Sequence, residues 1–396
     1  MIGDAWDGQG APPSTHPQEP PAPRRTLVVT GSRAEYGLLR PVMKAVQQRT
    51  DLQLLVIAAG SHLVLPATTF HEVKREFTVA EIVPMQHAGQ TGRAEDVQSV
   101  SRGIARFGRA FEKLQPDWVV VLGDRIEAFA AATAAAIGGW PLAHIHGGDR
   151  AEGVADEAMR HAITKLAHIH FPATALSASR IVRMGEDQTR VHLAGSPAVD
   201  ALHTIAPLTP DAYRELGEPT ALFLMHPVGR TPEAEEAAAT AALDALRAER
   251  VLALTPNLDP GRDGVLRALR HAGVHTLENL PREQFIALLK RLASLRPAPG
   301  VLVGNSSAGL IEGAALKLPV VDIGPRQNGR ERCANAVHVD KELPEEVARA
   351  VAAARGVGPD SYTHPYGDGH AGERIAELLA RTDPRAPGLT RKRCVY

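Results

Sequence analysis

The stretch Thr26-Leu27-Val28-Val29-Thr30-Gly31-Ser32-Arg33-Ala34-Glu35-Tyr36-Gly37 decides the fold. A short aliphatic and β-branched run stops on a glycine, and a helical pattern follows over residues 38–48. A buried strand that turns directly into a helix opens a βαβ unit. Runs of the same kind recur at residues 52–58, 118–122, 142–146 and 168–171, with helical patterns between them, as at 158–167. Strands alternating with helices predict a parallel sheet covered on both faces.

Further along, the pattern weakens after Pro197 through Pro207, Pro210 and Pro219, which predicts a hinge. It restarts with strands at 221–225, 251–255, 301–303 and 320–323 and helices at 233–250 and 308–316. Two consecutive arrays predict an α/β protein with two Rossmann-like, doubly wound domains facing a shared cleft, over residues 26–205 and 206–380. A tail follows over 381–396. Residues 1–25, with Pro12, Pro13, Pro17, Pro20, Pro21 and Pro23 among small and polar residues, read as a disordered leader.

The chain has 396 residues, 44 Lys+Arg and 45 Asp+Glu, so its net charge is 44 − 45 = −1. With 44% hydrophobic and 22% charged residues it reads as a globular protein, and general disorder is excluded. The charge balance argues against nucleic acid or anionic lipid bound through overall charge. Two cysteines, Cys333 and Cys394, make neither a disulfide framework nor a CxxC site, so a reducing, cytoplasmic compartment is expected. The first residues lack the pattern of a signal peptide. The small-apolar run at 128–140 is too short to span a bilayer and suits a tightly packed buried helix.

In open α/β sheets, ligands bind at the carboxyl ends of the strands, and the polar signals fall there. Gly31-Ser32-Arg33 is either an anion site or an ordinary strand–helix turn. No GxGxxG or GxxxxGK[ST] is present, so no dinucleotide or P-loop site is indicated. Asp124 follows the 118–122 strand, as a site carboxylate or a helix N-cap. In His144-Ile145-His146-Gly147-Gly148-Asp149, alternation puts His144 and His146 on one face. With His168 and His170 this invites a metal, but no metal-ligand spacing appears, and hydrogen-bonding roles are expected instead. Asp156 and Arg160 share a helix face, as do Glu157, His161 and Lys165, which are either site groups or solvated ion pairs. In the second half His226 and Asn257 follow strands. Gly304-Asn305-Ser306-Ser307 ends a strand and starts a helix, an arrangement suited to a diphosphate, or a plain serine cap. Glu312 can accept ribose hydroxyls, and Arg326 and Arg330 pair in a following loop.

Together the blocks TGSRAEYGLL, VVVLGDR, HIHGG, DEAMRHAITKLAHIHF, GSPAVD, HPV, GNSSAGLIE and RQNGRE resemble the hydrolysing UDP-N-acetylglucosamine 2-epimerases. The resemblance implies a fold of GT-B type, no cofactor or metal, and a small-molecule nucleotide sugar as partner, with neither nucleic acid nor membrane. A homodimer or homotetramer is compatible with it. It implies that His226, Ser306, Ser307, Glu312, Arg33 and Arg330, with Asn257, hold UDP, and that Asp124 and Asp156 serve the chemistry at sugar carbon-2, near Arg160. The implied reaction removes the carbon-2 proton as UDP leaves, giving a 2-acetamidoglucal, which is then hydrated with inversion at carbon-2.

The sequence departs from the family in one place that matters. His146 stands where well-known members carry Glu, and one extra residue separates it from Asp156. An imidazole can replace the carboxylate as acid or base, or Asp149 or Glu152 takes that role. Residues 290–299 read as a surface insertion. The alternatives to hydrolytic epimerisation of UDP-GlcNAc are the same reaction on a 2,4-diacetamido-6-deoxy sugar, non-hydrolysing epimerisation, a GT-B glycosyltransferase, and an inactive nucleotide-sugar binding protein.

Overall fold

The computed structural model describes residues 22–65, 69–90, 92–152, 156–256 and 259–395. Strands β1 (Arg24–Thr30), β2 (Leu52–Ala59), β3 (Val79–Val83), β4 (Trp118–Leu122), β5 (Leu142–Ile145) and β6 (Ile169–Phe171) pair in the order β3-β2-β1-β4-β5-β6. Strands β7 (Ala221–Leu224), β8 (Val251–Leu254), β9 (His275–Leu277), β10 (Val301–Gly304), β11 (Val320–Ile323) and β12 (Ala336–Val339) pair in the order β12-β11-β10-β7-β8-β9. Counted from its own first strand, the second sheet repeats the order of the first. In both, the strand order reverses beside the first strand, between β1 and β4 and between β7 and β10, which opens a crevice at their carboxyl ends.

The central strands read as continuous apolar runs because helices cover both faces. β4 is buried at all of its five positions. Val28 and Val120 face a core with Leu39, Met43 and Phe171, while Val29 and Val121 face the opposite core with Phe107, Phe111 and Ala131. The alanine run forms the helix Ile126–Gly138, with Ala128, Ala130, Ala131, Ala132, Ala134 and Ala135 buried, and Gly139 closes it at φ +78°.

Several boundaries differ from expectation. β1 begins at Arg24, inside the supposed leader, and Arg24 donates to the carbonyls of Leu379 at 3.1 Å and Thr382 at 2.9 Å; residues 1–21 lie outside the described residues. The pattern expected over 233–250 is helical only over Pro232–Asp244, and the helix expected at 308–316 is two short turns, Ser307–Leu310 and Glu312–Ala315, broken at Ile311. Residues 290–294 belong to the helix Arg282–Ser294 and include buried Leu292, so only the loop after it lies at the surface.

The domain limits of 26–205 and 206–380 also shift. Ala198, Val199 and Leu202 pack in the core of the second sheet. The helix Ala371–Arg381 crosses back to the first domain, where Ile375, Ala376 and Leu379 join Val42, Met43 and Trp118. Asp200 fixes its start by accepting the backbone N–H groups of Ala371 at 2.9 Å and Gly372 at 2.6 Å. The tail follows it: Leu389 belongs to the same core.

Candidate active site

A cleft of about 430 Å³ lies between the two crevices. Its first-domain wall begins where β4 ends. Gly123, at φ +76°, turns the chain, and Asp124 and Arg125 follow it at the start of the alanine-rich helix. Asp124 is ion-paired with Arg160, whose guanidinium also donates to the His146 carbonyl at 3.3 Å. Arg125 lies 3.6 Å from both Glu127 and Asp259. These carboxylates, with Asp156 and Glu35, outweigh the cost of its burial and hold it charged.

Asp156 opens the next helix, Asp156–Leu166, and lines the same wall. Burial lifts its pKa above the ordinary carboxylate range; Arg125 and Arg326 pull against that, and Asp259 adds to it. Glu35 also lines the cleft and completes a capping box. Ser32 accepts the Glu35 N–H at 3.4 Å, while the Glu35 carboxylate accepts the Gly31 N–H at 2.9 Å. Burial first, and neighbouring Glu127 second, push Glu35 up to about 8.

The opposite wall is built from the ends of β7 and β10. Asn305 accepts the backbone N–H of His226 at 2.7 Å and donates its amide to the His226 carbonyl at 2.8 Å, which ties the two strand ends together. Gln327 donates to the Asn305 carbonyl at 2.9 Å, and so does Arg326 at 3.2 Å. Burial, then the charge of Arg326, lowers His226 to about 3, so its ring is neutral near pH 7. Ser306 caps the short turn that carries Ser307, and Glu312 is held by Arg282 at 3.0 Å. Arg282 also donates to the Ala198 carbonyl at 2.7 Å, and Arg33 crosses the cleft to the carbonyl of Leu280.

The cleft therefore gathers Asp124, Asp156, Arg160, Arg33, His226, Ser306, Ser307, Glu312 and Arg330. Asn257 lies outside the described residues. His146 and Asp149 are not on the cleft surface but beneath it, each 3% exposed. β5 ends at Ile145, and His146 adopts φ +63°, so the strand alternation expected to align it with His144 does not reach it. Gly147 and Gly148 make this turn: a Cβ at Gly147 would lie 2.9 Å from the His144 ring, and one at Gly148 2.3 Å from the Ser177 carbonyl.

His146 bonds Asp149 through Nδ1 at 3.0 Å and Ser196 through Nε2 at 2.9 Å, and Asp149 accepts from Ser177 at 2.7 Å. The connectivity is that of a Ser-His-Asp triad, but Ser196 is only 1% exposed, so no substrate reaches its hydroxyl. Asp149 Oδ2 lies 3.9 Å from both Arg160 and Arg330, one from each wall. Burial raises the Asp149 pKa, but His146, Arg330 and Ser177 outweigh it and hold the carboxyl at about 2. His144 donates its Nε2–H to the Gly123 carbonyl at 2.8 Å, His168 Nδ1 takes the Leu142 N–H at 2.9 Å, and His170 pairs with Glu186 at 3.1 Å. Glu152 is ion-paired with Arg150.

Sequence reading singled out neither Glu35, Arg125 nor Arg282 as a site residue. Glu35 carries a local signal, the Ser-x-x-Glu of its capping box, and Arg125 directly follows Asp124. Arg282 carries none, because its partners are Ala198 and Glu312, remote in sequence.

Two Rossmann-like domains whose switch points face one polar cleft define an enzyme architecture of GT-B type. Residues 44–380 match the family described as UDP-N-acetylglucosamine 2-epimerase, and the chain belongs to that family. It is 34% identical over 369 residues to a Legionella pneumophila protein named UDP-N,N'-diacetylbacillosamine 2-epimerase (hydrolyzing), which covers 90% of this chain and 95% of the relative. It is 30% identical over 372 residues to the UDP-N-acetylglucosamine 2-epimerase of Neisseria meningitidis serogroup B, covering 90% and 95%. The crystal structure of a Neisseria meningitidis UDP-GlcNAc 2-epimerase bound to UDP-GlcNAc superposes with TM-score 0.72 at 18% identity, over 90% of this chain and 100% of that one. The Methanocaldococcus jannaschii enzyme in complex with UDP-GlcNAc and UDP gives TM-score 0.74 at 16% identity, with the same coverage. At these identities the superpositions show the fold.

Proposed function

We propose that the chain catalyses hydrolysing 2-epimerisation of a UDP-2-acetamido sugar: the UDP-sugar and water give UDP and the free 2-epimeric sugar. The observation that carries this reading is the division of the cleft. Carboxylates Asp124 and Asp156 stand on one wall, and a neutral imidazole, two serines and paired arginines stand on the other.

Asp156 takes the carbon-2 proton. A carboxyl whose pKa is raised by burial is better matched to a weakly acidic C–H than an ordinary one. The carbon-1 to oxygen bond breaks toward UDP, and Arg326, Arg330, Ser307 and His226 receive the departing diphosphate. Water then adds at carbon-1 of the glucal, and a proton returns to carbon-2 on the opposite face. Asp124, oriented by Arg160, serves this second half. His146 and Asp149 act from beneath, by holding Arg160 and Arg330 at a fixed separation.

A second reading concerns the sugar. Two relatives, the Legionella protein at 34% identity and a Campylobacter jejuni protein at 29%, are named as hydrolysing enzymes for diacetylbacillosamine nucleotides. This favours a 2,4-diacetamido-6-deoxy substrate. Incubation with UDP-GlcNAc and, separately, with UDP-2,4-diacetamido-2,4,6-trideoxyglucose tests both readings. Release of UDP with N-acetylmannosamine, or with its 2,4-diacetamido counterpart, identifies the substrate. A UDP-linked epimer as sole product would refute the hydrolysing mode.

A further inference from the structure

The helix Asp156–Leu166 presents Asp156 and Arg160 to the cleft, yet of its 11 residues only Arg160, Ile163 and Thr164 are buried. Ile163 is the single apolar anchor among them. A helix this short is marginal alone, so its placement depends on what holds its far end.

That end is held by residues remote in sequence. Lys392 donates to the carbonyls of Lys165 at 2.7 Å and Ala167 at 2.6 Å, and reaches that of Thr164 at 3.5 Å. These are among the last carbonyls of the helix, which have no partner within it, and a cation there also complements the helix dipole. Lys392 is itself fixed by Glu186 at 2.6 Å. Glu186 binds Lys165 at 2.6 Å and His170 at 3.1 Å as well, so the cluster ties the helix end to β6. Burial alone would raise the Glu186 pKa, but His170, Lys165 and Lys392 hold it at about 2. The rest of the segment is anchored through its backbone. Arg190 donates to the carbonyls of Leu389 at 2.9 Å and Gly388 at 3.2 Å, and the Val395 N–H donates to Gly185 at 2.9 Å.

We propose that residues 388–395 are a clasp that positions the catalytic helix, with Lys392 as the positioning residue. It touches no cleft atom. It acts by fixing the helix axis, so that Asp156 and Arg160 stay in register with Asp124 at the other end. This rests on the reading that Asp156 and Arg160 work in the cleft.

The test compares wild type with K392M and K392R in the full chain. Three readouts are used: amide hydrogen exchange by mass spectrometry, UDP affinity by calorimetry, and steady-state turnover. K392M is expected to raise exchange across residues 156–166 about tenfold while β1 and β4 stay protected. It lowers kcat by about tenfold and leaves KM and the UDP Kd within about twofold, because small displacements of a positioned group cost rate more than binding. K392R, which keeps the charge and the donors, restores most of both effects. If K392M fails to fold, E186Q loosens the same cluster from its other side and is measured identically. Unchanged exchange over 156–166 in the folded variant overturns the proposal, as does a loss spread evenly over the molecule. If wild type turns over no acetamido UDP-sugar, the functional reading fails, and the exchange data still decide the clasp.

Discussion

At the end of β4 the chain continues Gly123-Asp124-Arg125, and at the end of β10 Gly304 is followed by Asn305-Ser306. The two places correspond in strand order, each beside the first strand of its sheet, and each begins with a glycine at positive φ. Their contents are opposite. The first holds carboxylates in charged contact with Arg160 and Arg125. The second holds a neutral amide clamp, in which Asn305 closes both backbone groups of His226. The fold supplies two equivalent crevices; under the proposed function the side chains suit one to moving protons and the other to holding an anion still.

The most severe way to break this division is to neutralise the first crevice. Asp156→Asn and Asp124→Asn keep size and most hydrogen bonds but cannot take a proton. Each is expected to lower kcat by about 10²–10⁴ with the UDP Kd within about twofold, read by turnover and calorimetry. If these carboxylates were only caps, Asn would serve as well and activity would survive.

The converse variants act on the second crevice. His226→Ala and Ser307→Ala are each expected to weaken UDP binding by about 1–3 kcal/mol. Calorimetric titration that shows no change in either variant would move the diphosphate elsewhere.

His146→Ala sharpens the comparison, because it lies under both walls. It removes one buried hydrogen bond from each of Asp149 and Ser196, which keep Ser177 and the Ala198 N–H respectively, so a stability loss of about 1–3 kcal/mol is expected in urea unfolding. Turnover should fall less than in Asp156→Asn. A collapse equal to that of Asp156→Asn would make the imidazole an acid–base group in its own right.

The pH dependence of stability reads the burial of the carboxyls and leaves their chemistry untouched. Asp149 sits at about 2 when folded against an ordinary 3.8, so its contribution is complete above pH 3.8 and lost as pH falls toward 2. By linkage this amounts to ~2 kcal/mol. Glu35 runs the other way: raised from 4.5 to about 8, it takes stability away as pH rises between those values. The urea midpoint should therefore drop below pH 4 and drift down from 4.5 to 8, and Glu35→Gln should flatten the upper drift.

The central strands were legible because burial on both faces leaves them uniformly apolar: β4 and β7 are buried throughout. The strands missed by sequence reading, β3, β9 and β12, all lie at sheet edges. An edge strand pairs on one side only, and β9 and β12 are mostly partly exposed, so no apolar run marks them. The return of Ala371–Arg381 to the first domain was illegible for a different reason. Its amphipathic pattern states that it must pack, but not against which domain. The positions of Asp124 and His226 on the cleft were legible because strand ends announce themselves. The burial of His146 was not, since it depends on a left-handed backbone residue and on Gly147 and Gly148, which abolish the alternation.

The central claim is that the first crevice exchanges a proton at sugar carbon-2 while the second releases UDP. Turnover of the UDP-2-acetamido sugar in D2O, followed by proton NMR, addresses both halves at once. The account predicts free UDP together with a free 2-epimeric sugar carrying one deuteron at carbon-2. UDP released with a sugar that retains its carbon-2 proton and configuration would contradict it.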